Sequence, residues 1–157
     1  MNVSDPRPVV CHICTHLGGG GAQRRLLTLL QHARDAEWRP VLIAGPGCLS
    51  ERARETLGAD FIELPSLVRR VTALSDIRAL RDLRRALSRL SPALVHTHTP
   101  KAGLLGRLAA ASLRLPVVHT VHGSLLYRGA PVLRTLALCA AELLCRPLTR
   151  HWIPVGK

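Results

Sequence analysis

Apolar and polar positions follow two periods along the chain, and the two periods take turns. Short runs that are β-branched or apolar and end in Gly, Pro or polar residues read as strands: "PVVCHIC" (8–14), "RPVLIAG" (39–45), "ADFIELP" (59–65), "ALVHTH" (93–98), "PVVHTV" (116–121) and "HWIPV" (151–155). Between them, residues 22–35, 50–57, 75–90, 101–114 and 131–146 read as helices. The third helix has the clearest pattern. Leu74, Ile77, Leu80, Leu83, Leu87 and Leu90 form one stripe, while Arg78, Arg81, Arg84, Arg85 and Arg89 take the solvated side. Ser75 is its expected N-cap, Asp76 suits the first turn, and Ser91-Pro92 ends it.

Strands that alternate with helices predict an α/β fold. The expectation is a Rossmann-like, doubly wound parallel sheet between two helical layers. Ligands of such sheets sit beyond the carboxyl ends of the strands, where the strand order reverses. The loops after strands one, four and five are therefore the places to search. No repeat, low-complexity tract or linker interrupts the 157 residues, which read as one domain.

"CTHLGGGGAQRRLL" (14–27) sets four glycines between the first strand and the first helix. Glycine weakens both kinds of element, so the run asks for a reason, and a phosphate approaching a helix N-terminus supplies one. A dinucleotide site would want an acid at the end of strand two, which instead reads "IAGPG". A nucleotide-hydrolase phosphate loop would want Lys-Ser/Thr after the glycines, where Ala22-Gln23-Arg24 stands. In "LVHTHTPKAGLLGRLAA" (94–110), His96 and His98 share one side of a strand. Lys101 falls at a helix start, where the dipole disfavours a cation; it reads as a contact for an anionic ligand or as a solvated lysine. In "VVHTVHG" (117–123), His122-Gly123 lies just past strand five, at the same rim.

Other chemistries find less support. His96, His98, His119 and His122 are split between two strands and lack the compact spacing of familiar zinc sites, so no metal is expected. Cys11 and Cys14 spell C-x-x-C, but the odd offset puts them on opposite faces of a strand. Ser124 stands beside His122 with no acid near it in sequence, so no nucleophile triad is indicated. Five cysteines fit a reducing cytoplasm, no 18-residue uncharged stretch suggests a membrane span, and the N-terminus lacks a signal-peptide pattern.

Charge is lopsided. Residues 83–157 carry nine Arg and two Lys against the single acid Glu142, out of a net charge of +12 for the chain. That suits an anionic membrane surface or substrate, or equally a compositional bias, since 20 Arg stand against 2 Lys; with aromatics at 3%, stacking platforms for nucleic acid are not expected. The apolar segment 131–146 either lies on a membrane or packs against the sheet or another domain. In the latter case it leaves apolar surface that favours association.

Taken in order, these motifs resemble the N-terminal, acceptor-side domain of family-4 glycosyltransferases, which have the two-domain GT-B architecture. "LGGGGAQRRLLTLL" looks like that family's Gly-Gly-Ala-Glu-Arg loop and first helix. Residues 94–110 look like its His-x-His…Lys-Ala-Gly…Gly-Arg segment, and "PVVHTVHG" like its Thr-x-His-Gly strand end. The resemblance covers nearly the whole chain. It implies that Gly19, Gly20 and Gly21 lie by the diphosphate of a nucleotide-diphosphate sugar donor. It also implies that His98, Lys101 and Gly123 face the sugar and acceptor, and that His122 is the catalytic histidine contacting the transferred sugar. Hexosyl transfer would proceed with retention, without a metal or other cofactor, to a lipid-linked or polysaccharide acceptor at the inner membrane face. The protein would be cytoplasmic, or peripheral on that membrane.

Two departures accompany the resemblance. Gln23 stands where the family often has Glu, and "HWIPVGK" ends the chain where a donor-binding C-terminal domain would begin. The expectation is a half that is inactive alone, completed by that domain or by a separate chain carrying it. The alternative is a non-catalytic binding or adaptor module on the same fold at an anionic membrane.

Overall fold

A computed structural model describes residues 5–122 and 131–155. Six strands, β1 (Val9–Cys14), β2 (Arg39–Ala44), β3 (Phe61–Glu63), β4 (Leu94–His98), β5 (Val117–Val121) and β6 (His151–Pro154), form one sheet. Its order is β3-β2-β1-β4-β5-β6, and every neighbouring pair is parallel. The helices α1 (Gly21–His32), α2 (Ser50–Leu57), α3 (Ala73–Leu90), α4 (Pro100–Ala111) and α5 (Val132–Cys145) supply the connections. All six predicted strands and five predicted helices are present, with ends shifted by a few residues. The strand order reverses between β1 and β4, so the switch point falls where the glycine run and the His-x-His segment meet.

Alternation along the strands builds two cores. Cys11, Ile13, Val95 and Val117 pack with Leu83 and Leu87 of α3 and with Ala102 and Ala109 of α4. Cys14, Leu42 and Ala44 pack on the other face with Leu26, Leu27 and Leu30 of α1 and with Ala53 and Leu57 of α2. Cys11 and Cys14 thus go to opposite cores, as their odd offset requires. Burial raises both thiols, Cys14 to about 11, so neither is poised as a nucleophile.

α4 lies close on the strands because two of its positions have no side chain. A Cβ on Gly106 would come within 2.7 Å of Thr97 Cγ2 and 3.1 Å of Ile13 Cδ1. The turn after β2 is equally tight: a Cβ on Gly45 would overlap the carbonyl oxygens of Leu67 and Thr15. That closeness lets the Leu17 N–H donate to Gly45 O at 3.1 Å and the Gly45 N–H donate to Thr15 O at 3.3 Å. The loop leading to the glycine run is held in place by its neighbour.

α3 departs from its sequence pattern at one end. It begins at Ala73, with Thr72 in the N-cap position; Ser75 lies inside the first turn, its hydroxyl bonded to that of Thr72 at 2.7 Å. Ala79, Leu83 and Leu87 are buried, whereas Leu74 is 85% and Ile77 49% exposed. The reason is length. Eighteen helical residues run about 27 Å, and the five residues of β4 only about 17 Å, so the first turns overhang the carboxyl edge of the sheet. The five arginines of this helix are exposed, as expected of a solvated face.

Gly106→Val should overfill the α4–sheet contact and lower unfolding free energy by about 1–3 kcal/mol. Urea denaturation followed by circular dichroism measures it; an unchanged midpoint would contradict the packing described.

Candidate functional site

The carboxyl edge of the sheet carries a cleft of about 710 Å³. One wall is the turn after β1, with Thr15, His16, Gly18, Gly19, Gly20 and Gln23. The floor is the start of α4, and the far wall is α5, through Leu138 and Glu142. Arg69 and Val71 close it from the β3–α3 connection.

Two threonines bring the walls together. Thr15 and Thr99 hydroxyls are 2.8 Å apart, and the Thr15 N–H donates to Thr99 Oγ1 at 3.3 Å. The Ala102 N–H in turn donates to Thr15 Oγ1 at 3.0 Å, so a residue of β1's turn caps the helix that follows β4. Thr99 has φ of 69°, in the left-handed region that a β-branched residue rarely enters. Such strain persists only where surrounding contacts over-determine it, and it gathers at functional sites.

Gly19 and Gly20 line the cleft, and Gly21 opens α1. None of the four glycines has a positive φ, and a Cβ on Gly21 would meet no atom within 4 Å. At Gly19 the nearest atom would be Cys48 Sγ at an ordinary 3.5 Å. The fold itself therefore does not demand glycine at 19 or 21. α1 has no side-chain cap and no acid in its first turn, leaving its N–H groups open. Gln23 is buried beside this turn; the neutral amide avoids the desolvation that a carboxylate would suffer there.

Lys101 also lines the cleft, but its charge is met within the chain. Its Nζ lies 2.5 Å from Asp76 Oδ1 and donates to the Arg70 carbonyl at 2.5 Å, with the side chain only 11% exposed. The overhanging first turn of α3 supplies that acid. The lysine is thus neither solvated nor a free cation, and it fastens α3 and the 66–72 segment to α4.

His98 and His122 rise from the same edge as Gly20, at the ends of β4 and β5, but they are not among the cleft's lining residues. They share the α1-side face with His12, His96 and Thr120, while Thr97 and His119 face α4. His98 is 3% exposed and both its nitrogens are engaged: Nε2 with His12 Nδ1 at 3.1 Å, and Nδ1 with His122 Nε2 at 3.0 Å. His96 Nε2 meets the Thr120 hydroxyl at 2.7 Å. Burial lowers every one of these histidines below its usual range, His96 to about 4 and His12 to about 3, and Arg25 adds to the depression at His122. Gly123, expected beside the sugar, and Ser124 lie outside the described residues.

The four histidines considered for zinc do not converge, because His119 projects from the opposite face. His12, which no sequence motif singles out, does join His96 and His98, with one ligand atom of each within 4.8 Å of the others. These three are one short of a closed zinc set, and an ion would have to break the His12–His98 hydrogen bond.

A second polar group backs α5. Arg107 is fully buried; its guanidinium donates to Glu142 Oε2 at 2.7 Å and to Gly103 O at 2.7 Å, and lies 5.2 Å over the Trp152 ring. His119 donates to or accepts from the Thr97 hydroxyl at 2.8 Å, and burial together with Arg107 lowers it to about 4. Glu142 thus belongs both to this pair and to the cleft. His16, half-buried and lining the cleft, keeps an Nδ1 with no partner among the described residues. Neither residue stood out in the sequence beyond the count of charges.

A family model described as a glycosyl transferase 4-like domain matches residues 20–152. The chain belongs to this glycosyl transferase 4-like family. The chain is 38% identical over 78 residues to a UDP-Gal:alpha-D-GlcNAc-diphosphoundecaprenol alpha-1,3-galactosyltransferase of Escherichia coli. The match covers 49% of the chain and 20% of that protein. Among solved structures, a UDP-GlcNAc 2-epimerase from Methanocaldococcus jannaschii superposes with a TM-score of 0.67 at 13% identity, over 94% of this chain and 39% of that one. MurG of Acinetobacter baumannii gives 0.64 at 15%, over 97% and 42%. Anabaena Alr3699/HepE, in complex with UDP and glucose, gives 0.63 at 14%, over 87% and 35%. The family-4 domain therefore has the Rossmann-like fold of one half of a GT-B protein, and the chain spans less than half the length of these relatives.

The buried neutral imidazoles set a pH dependence for the domain. Their folded pKa values lie below the unfolded 6.5, so between the two the unfolded chain binds more protons. Stability is full above about pH 6.5 and falls as pH drops toward 4. Urea midpoints between pH 7.5 and 4.5 should decline, and His96→Gln should flatten the decline; a flat wild-type profile would contradict the neutral cluster.

Proposed function

We propose that this domain is the acceptor-side half of a retaining glycosyltransferase that takes a hexose from a uridine diphosphate sugar. The observation that carries the reading is the cleft at the strand-order reversal, walled by Gly18, Gly19 and Gly20, of which Gly19 has room for a side chain that the sequence leaves out. Open N–H groups of α1 and side-chain-free Gly19, Gly20 and Gly21 suit a diphosphate. His122, neutral and half-exposed at the end of β5, is the candidate catalytic residue, touching the transferred sugar. His98 then acts behind it, and Lys101 shapes the acceptor side through its tie to Asp76. The galactosyltransferase relative, whose name includes a lipid-linked diphosphate, supports a lipid-linked acceptor, and the HepE complex supports UDP as the nucleotide. Because those relatives are far longer, transfer requires a donor-binding domain, in the same or a separate chain.

The purified 157-residue chain should give no sugar transfer from UDP-galactose; turnover by it would refute the claim of inactivity alone. Added UDP should move the amide resonances of Gly19, Gly20 and Gly21, and Gly21→Asp should abolish those shifts without lowering the urea midpoint, since an acid at an uncapped helix start is stabilising. Shifts confined to other regions would overturn the placement of the diphosphate.

A second feature favours a membrane as partner. α5 exposes Leu133, Leu136, Leu143 and Leu144, and the chain's net charge is +12. Among the described residues no helix is long and apolar enough to cross a bilayer, and the exposed leucines of α5 suit attachment to a surface. Flotation should be strong with anionic vesicles and weak with neutral ones, and equal behaviour with both would remove the membrane from the reading.

A further inference from the structure

Three imidazoles form a hydrogen-bonded chain whose inner end is closed. His12 Nδ1 meets His98 Nε2 at 3.1 Å, and His98 Nδ1 meets His122 Nε2 at 3.0 Å. Each neutral ring carries one proton, and each bond needs one proton between its two nitrogens. Only two arrangements satisfy both bonds. Either all three rings are protonated on Nδ1 and donate outward, from His12 to His98 to His122, or all three are protonated on Nε2 and donate inward.

The inner end decides between them. His12 is 1% exposed, and its Nε2 has no hydrogen-bond partner among the described residues. The inward arrangement would put an N–H on that nitrogen with nothing to receive it, and orphaned buried N–H groups are the rarer defect in folded proteins. The outward arrangement leaves only a bare lone pair there. At the other end, His122 is half-exposed, so either form of its Nδ1 can be met by solvent or ligand. His96 does not intervene, because its Nε2 is taken by Thr120.

We propose that His12 and His98 are positioning residues that fix His122 as its Nδ1–H tautomer. The site histidine then has its Nε2 lone pair occupied and presents an N–H donor to whatever binds at the rim. With burial holding all three rings neutral, the chain has no spare proton to reverse it. This role rests on the transferase reading only for the identity of the bound group: an N–H donor at the rim suits a sugar hydroxyl or ring oxygen, and it excludes His122 as a general base while the chain is intact.

The test is a long-range 1H–15N correlation spectrum of the full 157-residue chain, labelled at histidine nitrogen, at pH 7.5 and without substrate. His12, His98 and His122 should all appear as Nδ1–H, in at least about a tenfold excess over Nε2–H, given the cost of an unmade buried bond. His98→Leu cuts the chain and should remove that excess at His122, whereas His98→Asn, whose amide can still donate to His122, should keep it. An Nε2–H form at His12 or His122 in the wild type overturns the proposal, as does an unchanged His122 in His98→Leu. Should His98→Leu not fold, the wild-type spectrum alone decides the direction. Because no donor or acceptor is present, loss of the transferase reading would leave this result standing, and the reverse also holds.

Discussion

β1 lies between β2 and β4, and the connections on its two sides leave toward opposite faces. That single constraint of a parallel sheet opens the crevice above β1 and β4, since no helix can cross it. The Thr15–Thr99 hydroxyl contact then sets how wide it stands, by fastening β1's turn to the head of α4. A backbone held at positive φ in Thr99 and a glycine turn locked against Leu67 and Leu17 are consequences of bringing so many chain segments to one edge. The rigidity suits a site that must hold a ligand's charge without reorganising.

The interior beneath that edge is unusual in being polar. Where a parallel sheet would commonly carry aliphatic side chains on both faces, the middle strands carry His12, His96, His98, Thr97, His119 and Thr120, all at least nine-tenths buried. Each of these residues has at least one side-chain hydrogen bond, which is the condition under which such a layer is tolerated. Among these described residues, His12 Nε2 is the nitrogen that is both fully shielded from water and without a partner, and it gives the histidine chain its direction. Neutrality comes at the expense of acid stability and yields a rim histidine whose hydrogen-bonding character is set from inside the sheet.

Charge in the second half of the chain divides in two. Arg107 and Lys101 are consumed internally by Glu142 and Asp76, tying α4 to α5 and α3. Breaking a buried pair of this kind by removing one member costs about 3–5 kcal/mol, so these residues serve the architecture first. The exposed arginines make up the surplus, and beside them α5 leaves leucines in solvent. Of these arginines, Arg146 lies beside Leu143 of α5.

Much of this was legible in the residues alone. Short apolar runs and period-3.6 stripes located the described strands and helices, because burial on both faces of a parallel sheet asks for continuously apolar strands and one-sided helices. The glycine run, His98 and His122 were expected at one edge, and the structure brings them to one, because the loops after β1, β4 and β5 must meet there. The overhang of α3 was not visible, since a stripe of leucines carries no record of where its supporting sheet stops. Nor were the partners of Lys101, Arg107 and His98, which lie 25 to 86 positions away in the chain, at Asp76, Glu142 and the ring of His12, and are chosen by packing. Sequence determined the elements and the edge because local periodicity and turn chemistry act over a few residues; tertiary structure alone decided which charges cancel and which way the histidines donate, because those depend on distances between segments that only the folded sheet brings together.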